Sequence, residues 1–486
     1  MKLLFATSEA YPLLKTGGLG DISNSLPNSL VRAGVEVRLV LPAYRDILQQ
    51  LEFFTVLGWL HVSAQKEVRI LEASHKDFSM PLLLVDDSQL FDRGGNPYTH
   101  PDGFDWPDNP ERFATFSHAV ALLAVDGLGL GWRADVVHAN DWQCGLVPAY
   151  LSHEAHPPKR VFTIHNIAYD CQFDYGTFQH LRLPPHWWSM DYGEFYDRFS
   201  MLKAGLVFSD VITTVSPSYA REICTPEYGY GYASILQTNC SKLHGILNGI
   251  DTEIWNPRSD PYLAEQYPAK GDVQPAKHAN KQALLKQLGA DDATLASDLP
   301  LIGFVGRLVF QKGVDLLLAA IEHLLPQQQA RFVIIGSGEY ELETELHRLC
   351  DENPQQVFSY VGYSEQLAHL LEAGCDIFAM PSRYEPCGLN QLYSLQYGTP
   401  PVVRKTGGLA DTVIHADEDS IKQKTASGVV FDTANEASLS EALLHAISLY
   451  GDARIWPQIM QAGMQQDFSW DRSAQQYVKI YQRADI

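Results

Sequence analysis

The sequence predicts an α/β protein of two doubly wound domains, and three observations carry that prediction. Apolar runs short enough to be buried strands alternate with helical patterns, first over residues 1–250 and again over 300–467. Between them, residues 251–299 change character: Asn256-Pro257, Asp260-Pro261, Pro268, Gly271 and Pro275 punctuate a polar stretch suited to a linker and the start of a second domain. The heptapeptide Lys15-Thr16-Gly17-Gly18-Leu19-Gly20-Asp21 returns, with one letter changed, as Lys405-Thr406-Gly407-Gly408-Leu409-Ala410-Asp411, each copy following an apolar run. Open sheets of this kind bind ligands beyond the carboxyl ends of their strands. Two such sheets facing one another are therefore expected to form an interdomain cleft.

In chain order, Leu3–Ala6 is expected as a strand, followed by the Lys15–Asp21 loop and a helix in which Ile22, Leu26 and Leu30 fall at helical spacing. Gly34 stands where a C-terminal cap belongs, and Pro27 is expected to kink that helix or shift its boundary. Val35–Leu41 closes the first βαβ unit, and further strands are expected at 82–85, 136–138, 160–164 and 211–215. After a helix over 277–288, the second domain offers strands at 301–305, 332–335, 376–380 and 401–403, with helices over 314–325 and 392–397. The segment 470–486 has a helical pattern whose packing partner periodicity does not reveal.

Composition narrows the function classes. With 486 residues, 45% of them apolar and 11% aromatic, the chain is long for one core and comfortable for two. A net charge of −22 argues against nucleic acid or an anionic membrane as partner, so an anionic substrate requires a local cationic pocket. Seven cysteines without a CxxC pair suit a reducing compartment. The longest apolar runs, such as Ala119–Val125, are too short to span a bilayer, and Ser8-Glu9 ends the apolar start before it can serve as a signal peptide. The expected location is the cytoplasm.

The candidate chemistry hangs from strand ends. Lys15 with Gly17-Gly18 at a helix start can be plain turn chemistry or an anion site built from backbone amides and one ammonium. Arg307 and Lys312 lie between a strand and a helix, either as solvated surface cations or as a diphosphate clamp. Glu385-Pro386-Cys387-Gly388-Leu389 puts a carboxylate at a helix start, as a capping acid or a ligand group; Cys387 has no basic partner in sequence and reads as a bystander thiol. His138-Ala139-Asn140-Asp141-Trp142 and Thr163-Ile164-His165-Asn166 end two strands with polar groups, where a lone histidine is most often structural. The aromatic concentration over 169–199 reads as core ahead of a sugar-stacking wall. Asp417-Glu418-Asp419 has metal-binding spacing but the surroundings of a solvated loop. There is no HExxH, Walker loop, zinc-type cysteine pairing, or GxGxxG after the first strand.

Taken together, Lys15–Leu19, His138–Trp142, Thr163–Asn166, Val215-Ser216-Pro217, Leu247–Asp251, Gly306–Gly313 and Pro381–Leu389 closely resemble the bacterial glycogen synthases and plant starch synthases, over nearly the whole chain. That resemblance implies two facing Rossmann-like domains of the glycosyltransferase B type. It also implies a retaining glucosyltransferase that moves glucose from ADP-glucose to the non-reducing 4-hydroxyl of an α-1,4-glucan, with no cofactor and no metal. By position it makes Lys15, Arg307 and Lys312 the diphosphate ligands, and Gly18 and Asp21 donor contacts. Asp141, His165 and Asn248 surround the transferred glucose, while Glu385 and the amides of Cys387, Gly388 and Leu389 hold its hydroxyls. Tyr363 lies against the adenine, and a final helix, 468–486, crosses back to the first domain. The resemblance makes His165, Glu385, Lys312, Arg307 and Asp141 the expected catalytic set.

Two positions depart from the family pattern. Asn390 stands where threonine is common, and Tyr393 occupies the place of a second glutamate in the wider superfamily. With Glu385 the one acid at hand, same-face displacement is expected, the leaving diphosphate accepting the acceptor's proton. The rival readings are a UDP-glucose enzyme, a phosphorylase- or sucrose-synthase-like transferase, a noncatalytic glucan-binding scaffold and a dehydrogenase.

Overall fold

The middle of the first sheet is built from strands with no exposed face. The computed structural model describes residues 1–483; the last residues of the helix expected over 470–486 lie outside them. The chain divides into two units, one made of residues 1–249 with the segment from Trp470 onward, the other of Ile250–Ser469.

In the first unit the strands are β1 (Lys2–Ala6), β2 (Glu36–Pro42), β3 (Phe54–Ser63), β4 (Lys66–Ala73), β5 (Leu82–Asp86), β6 (Val136–Asn140) and β7 (Lys159–Ile164). They continue with β8 (Gln172–Phe173), β9 (Glu194–Phe195), β10 (Arg198–Ser200), β11 (Val211–Thr214) and β12 (Leu243–Gly245). The large sheet runs β12-β11-β7-β6-β1-β2-β5-β4-β3. It is parallel from β12 to β5, and the β3–β4 hairpin adds an antiparallel edge that the alternation argument does not anticipate. β1 and β6 lie side by side although the chain visits β2 to β5 between them, so the direction of winding reverses there. That is the topological switch point, where such sheets bind ligands.

The second unit holds β13 (Leu301–Val305), β14 (Arg331–Gly336), β15 (Val357–Val361), β16 (Ile377–Met380), β17 (Pro401–Arg404) and β18 (Val429–Phe431). Its order, β15-β14-β13-β16-β17-β18, all parallel, is the dinucleotide-fold order 3-2-1-4-5-6, with the reversal between β13 and β16. Along β14, Phe332 and Ile334 pack into one apolar cluster, Val333 and Ile335 into another. Alternate side chains thus feed cores on opposite faces, each covered by helices.

Two sequence expectations are modified. The helix Gly18–Arg32 runs through Pro27 without ending there, and the proline is buried with Leu26 and Leu30 on the apolar face that holds the helix. Residues 251–269 are no free linker. Trp255 is sandwiched between the His369 ring at 3.8 Å and the Tyr393 ring at 3.7 Å, while Asp260 takes His369 Nδ1 at 2.7 Å and Tyr397 Oη at 2.5 Å. The proline-rich segment is therefore anchored into the second unit by aromatic stacking. The terminal helix, Trp470–Gln482, belongs to the first unit: it packs on helix Gly18–Arg32, Asp471 pairs with Arg32, and Tyr481 Oη meets His138 Nδ1 at 2.8 Å.

Candidate functional site

Every candidate residue of the first unit follows the carboxyl end of a strand. After β1 comes Glu9, which the sequence reading passed over. Its buried carboxylate accepts from Thr16 N at 2.6 Å, Thr16 Oγ1 at 2.8 Å, Gly17 N at 3.3 Å and Tyr98 Oη at 2.7 Å. One acid thus shapes the Lys15–Gly18 loop from below. Gly17 and Gly18 are exposed, and a Cβ built on either meets nothing within 4 Å. The helix beginning at Gly18 has no side-chain cap, so its opening amides and dipole face outward. Lys15 Nζ meets Asp21 at 2.8 Å beside them. The signal for Glu9 was in the sequence: it is an acid at a strand's carboxyl end, like the others.

After β6, Asp141 adopts φ 56°, ψ −180°, a conformation nearly reserved for glycine and costing about 1–3 kcal/mol. The strained turn aims its carboxylate at the end of β7, where His165 N donates to Oδ1 at 2.8 Å. Burial pushes Asp141 up to about 7, against the amides of His165 and Asn166, with nearby Glu9 adding repulsion. His165 is pushed down to about 3 by burial, so its ring is neutral. The hydrogen-bond network assigns the tautomer. Asn140 Nδ2 donates to Ala6 O at 3.0 Å, which leaves Oδ1 to accept from His165 Nε2 at 2.9 Å. The proton therefore sits on Nε2. Nδ1 is a shielded lone pair that accepts from no protein group, a ready acceptor for a ligand hydroxyl. Asn248, after β12, also buries an Oδ1 without a partner.

His138 is a different case. It is fully buried, pushed down to about 3, and spans Tyr481 Oη and Thr163 Oγ1, so it is a core residue. The aromatic concentration divides likewise: Trp187 is fully buried, whereas Tyr169, Tyr175 and Tyr196 are exposed.

In the second unit the loops after β13 and β16 are laced together. Lys312 Nζ meets Glu385 Oε2 at 2.6 Å, and Ser382 Oγ donates to the same oxygen at 3.0 Å. Arg383 forms a two-point pair with Asp315 at 2.6 and 2.7 Å, and its guanidinium lies 3.5 Å over the Phe310 ring. Asn390 Nδ2 donates to Val305 O at 2.6 Å and so ties the end of β13 to the Glu385 loop. Gly388 sits at φ 72°, a value that favours glycine. Arg307 is exposed, with a weak contact to Gln311 at 3.4 Å. Tyr363 follows β15 with four-fifths of its surface exposed. Cys387 is buried.

Two sequence features find structural explanations here. Tyr393 stacks on Trp255, so this position holds the chain segment 250–269 and does no acid chemistry. Asp417 caps the helix Glu418–Gln423 in a reciprocal arrangement with Ser420.

The chain matches two family models, "Starch synthase catalytic domain" over residues 2–238 and "Glycosyl transferases group 1" over residues 290–458. It is 48% identical to a glycogen synthase of Hydrogenovibrio crunogenus and 49% identical to one of Thioalkalivibrio sulfidiphilus, each alignment covering 99% of both chains. Among solved structures it is similar to the catalytic domain of starch synthase IV from Arabidopsis thaliana bound to ADP and acarbose, with a TM-score of 0.86, 33% identity, and coverage of 99% of this chain and 98% of that one. Sucrose-phosphate synthase from Thermosynechococcus elongatus, at 16% identity and a TM-score of 0.59 over 99% of this chain and 98% of that one, shares the fold.

Proposed function

The chain belongs to the family of bacterial glycogen synthases and plant starch synthases and is a glucosyltransferase that elongates a glucan; we propose that it takes glucose from ADP-glucose and adds it, with retention, to the non-reducing 4-hydroxyl of an α-1,4-glucan. The observation that carries this reading is the neutral His165 ring, held by Asn140 with its Nδ1 lone pair unused, beside the strained carboxyl of Asp141 at the switch point of the first sheet. Nδ1 accepts a hydroxyl of the transferred glucose, and Glu385 with the amides after it takes others. Lys15, Arg307 and Lys312 share the diphosphate, and exposed Tyr363 stacks on the adenine. Asn248 offers its unpartnered Oδ1 to the donor, beside Gly18 and Asp21.

In the reaction the bond between the anomeric carbon and the diphosphate oxygen breaks as the cations stabilise the departing charge. The same oxygen then receives the proton of the acceptor's 4-hydroxyl as the new glycosidic bond forms on the same face. Three side-chain cations supply the electrostatic stabilisation, so the reaction is expected to need no metal and no cofactor.

The test is transfer of labelled glucose from ADP-glucose and from UDP-glucose to glycogen, with the product's anomeric configuration read by NMR. The reading expects an α-linked product, ADP-glucose preferred, activity retained in chelator, and a drop of about 10² to 10³ fold in Lys312→Ala and His165→Ala. Equal use of both donors, a β-linked product or near-normal turnover in both variants overturns it.

A further inference from the structure

The groups discussed so far lie at the carboxyl ends of the strands. At the opposite ends of β7, β11 and β12, the first unit has a cavity of about 270 Å³ whose wall, among the described residues, carries Lys159, Lys242, His244 and Arg483 against a single acid, Asp210. That acid is already neutralised: Arg160 reaches its two oxygens at 2.6 and 3.1 Å, and the Arg160 amide adds a bond at 2.8 Å. Four basic side chains around one cavity stand out in a chain whose net charge is −22.

Helix docking explains part of this. Lys159 Nζ donates to the carbonyl oxygens of Ile480 and Arg483 at 2.7 and 2.6 Å, tying the terminal helix to the sheet. It does not explain the rest. Lys242 Nζ reaches Ser209 O at 3.2 Å and has further protons to donate, and His244 lies close enough to Arg483 and Lys159 for both to oppose its protonation, on top of burial. Basic side chains gathered on the wall of one cavity are complementary to an anion placed between them.

We propose that this cavity binds a small phosphorylated anion, either inorganic phosphate or a phosphate monoester, at the edge of the sheet opposite the strand ends that carry the donor chemistry. The size fits. Liquid water occupies about 30 Å³ per molecule, so the cavity has room for a phosphate with a short carbon skeleton. The ligand spans β7, β12 and the end of the terminal helix, cross-linking elements that Lys159 already brings together. This inference stands independently of the transferase mechanism.

Calorimetric titration of the full chain with inorganic phosphate, and separately with glycerol 3-phosphate, tests it, because neither probe carries the glucose or nucleoside of a donor. Saturable binding is expected in the wild type and equally in Lys312→Ala, in which a cation of the donor site is removed. In Lys242→Ala/His244→Gln it should weaken by about tenfold or more, the loss of at least one charge-assisted contact. The tighter of the two probes tells whether the site takes the free ion or the ester. Sulfate, whose charge is constant between about pH 6 and pH 8, reads the His244 proton: it should bind more tightly at the lower pH in the wild type, and His244→Gln should remove that dependence. The His244 ring resonance, assigned by the same variant, should shift as either phosphate is added. Absence of saturation, equal affinity in the double variant, or loss of binding in Lys312→Ala overturns the proposal.

Discussion

Replacing Glu9 by glutamine tests whether the Lys15–Gly18 loop is held in place from below. The carboxylate accepts four hydrogen bonds, three from the loop and one from Tyr98. A glutamine of the same size keeps one acceptor oxygen and turns an NH2 toward groups that are themselves donors. Bonds to a charged acceptor contribute about 1.5–3 kcal/mol each, and roughly two are lost. Water reaches the exposed side of the loop and recovers part of that, leaving a net loss of about 2–3 kcal/mol of local order. If the loop must be ordered for the donor to react, kcat/KM falls by about 30- to 150-fold. Opening of one loop leaves the global melting temperature within a few degrees. Tyr98→Phe, which removes one donor and keeps the charge, should cost only a few-fold. The assays are labelled glucose transfer and hydrogen exchange of the amides in residues 15–20. A Glu9→Gln enzyme within about threefold of wild-type kcat/KM, with those amides exchanging no faster, refutes the reasoning.

Three further outcomes follow from the same geometry. Burial raises the folded-state value of Asp141 to about 7 from the ordinary 3.8, so the folded state holds its proton more tightly than the unfolded chain does. The penalty is therefore absent at about pH 3, grows as pH rises past the unfolded value, and is complete above about pH 7. Asp141→Asn, which keeps the acceptor for the His165 amide, should become progressively more stable than the wild type between about pH 4 and pH 8, reaching up to about 4 kcal/mol by urea denaturation, while losing activity; a pH-independent difference contradicts the burial argument. Arg307→Ala, at an exposed guanidinium, should leave the melting temperature unchanged while lowering turnover by about 10² to 10³ fold, and an equal loss of both indicates a structural role. Gly18→Ala, in open space at a helix start, should hold or raise stability by up to about 1 kcal/mol while raising KM for the donor, whereas Gly408→Ala should lower the melting temperature and expression together.

Much of the fold is legible because parallel strands buried on both faces read as unbroken apolar runs, and the runs at 301–305, 332–335 and 401–403 became β13, β14 and β17. β15 escaped because Val357-Phe358-Ser359-Tyr360-Val361 is half exposed at a sheet edge, and β3 and β4 because an antiparallel hairpin follows a different pattern from the βαβ repeat around it. Residues 251–269 read as linker and domain start in the sequence, and local composition cannot separate the two. Prolines and polar residues mark irregular backbone, but only the folded structure reveals that Trp255 has two rings to lie between. In the candidate site, charge at strand ends was legible, whereas the protonation states of Asp141 and His165 depend on burial and on an asparagine amide oriented by Ala6 O, none of which a string of letters carries.

The duplicated heptapeptide makes the same point with the chemistry held constant. In the first copy Gly17 and Gly18 face open space, and a group can approach their backbone closely. In the second, Gly407 and Gly408 are buried, a Cβ on either would overlap the carbonyl oxygens of Glu385 and Cys387, and Gly408 N donates to Glu385 O and Pro386 O at 3.2 Å. Close approach to glycine backbone is used in both places. In one the approaching group is left to the solvent side, and in the other it is the protein's own Glu385 loop, fixed so that its carboxylate meets Lys312. The second copy is therefore a support for the Glu385 loop, its glycine faces already filled by protein. That assignment follows from which strand end lies next to it in the sheet: β17, which the second copy follows, is the neighbour of β16, whose loop carries Glu385, so the glycines pack against a loop already in place.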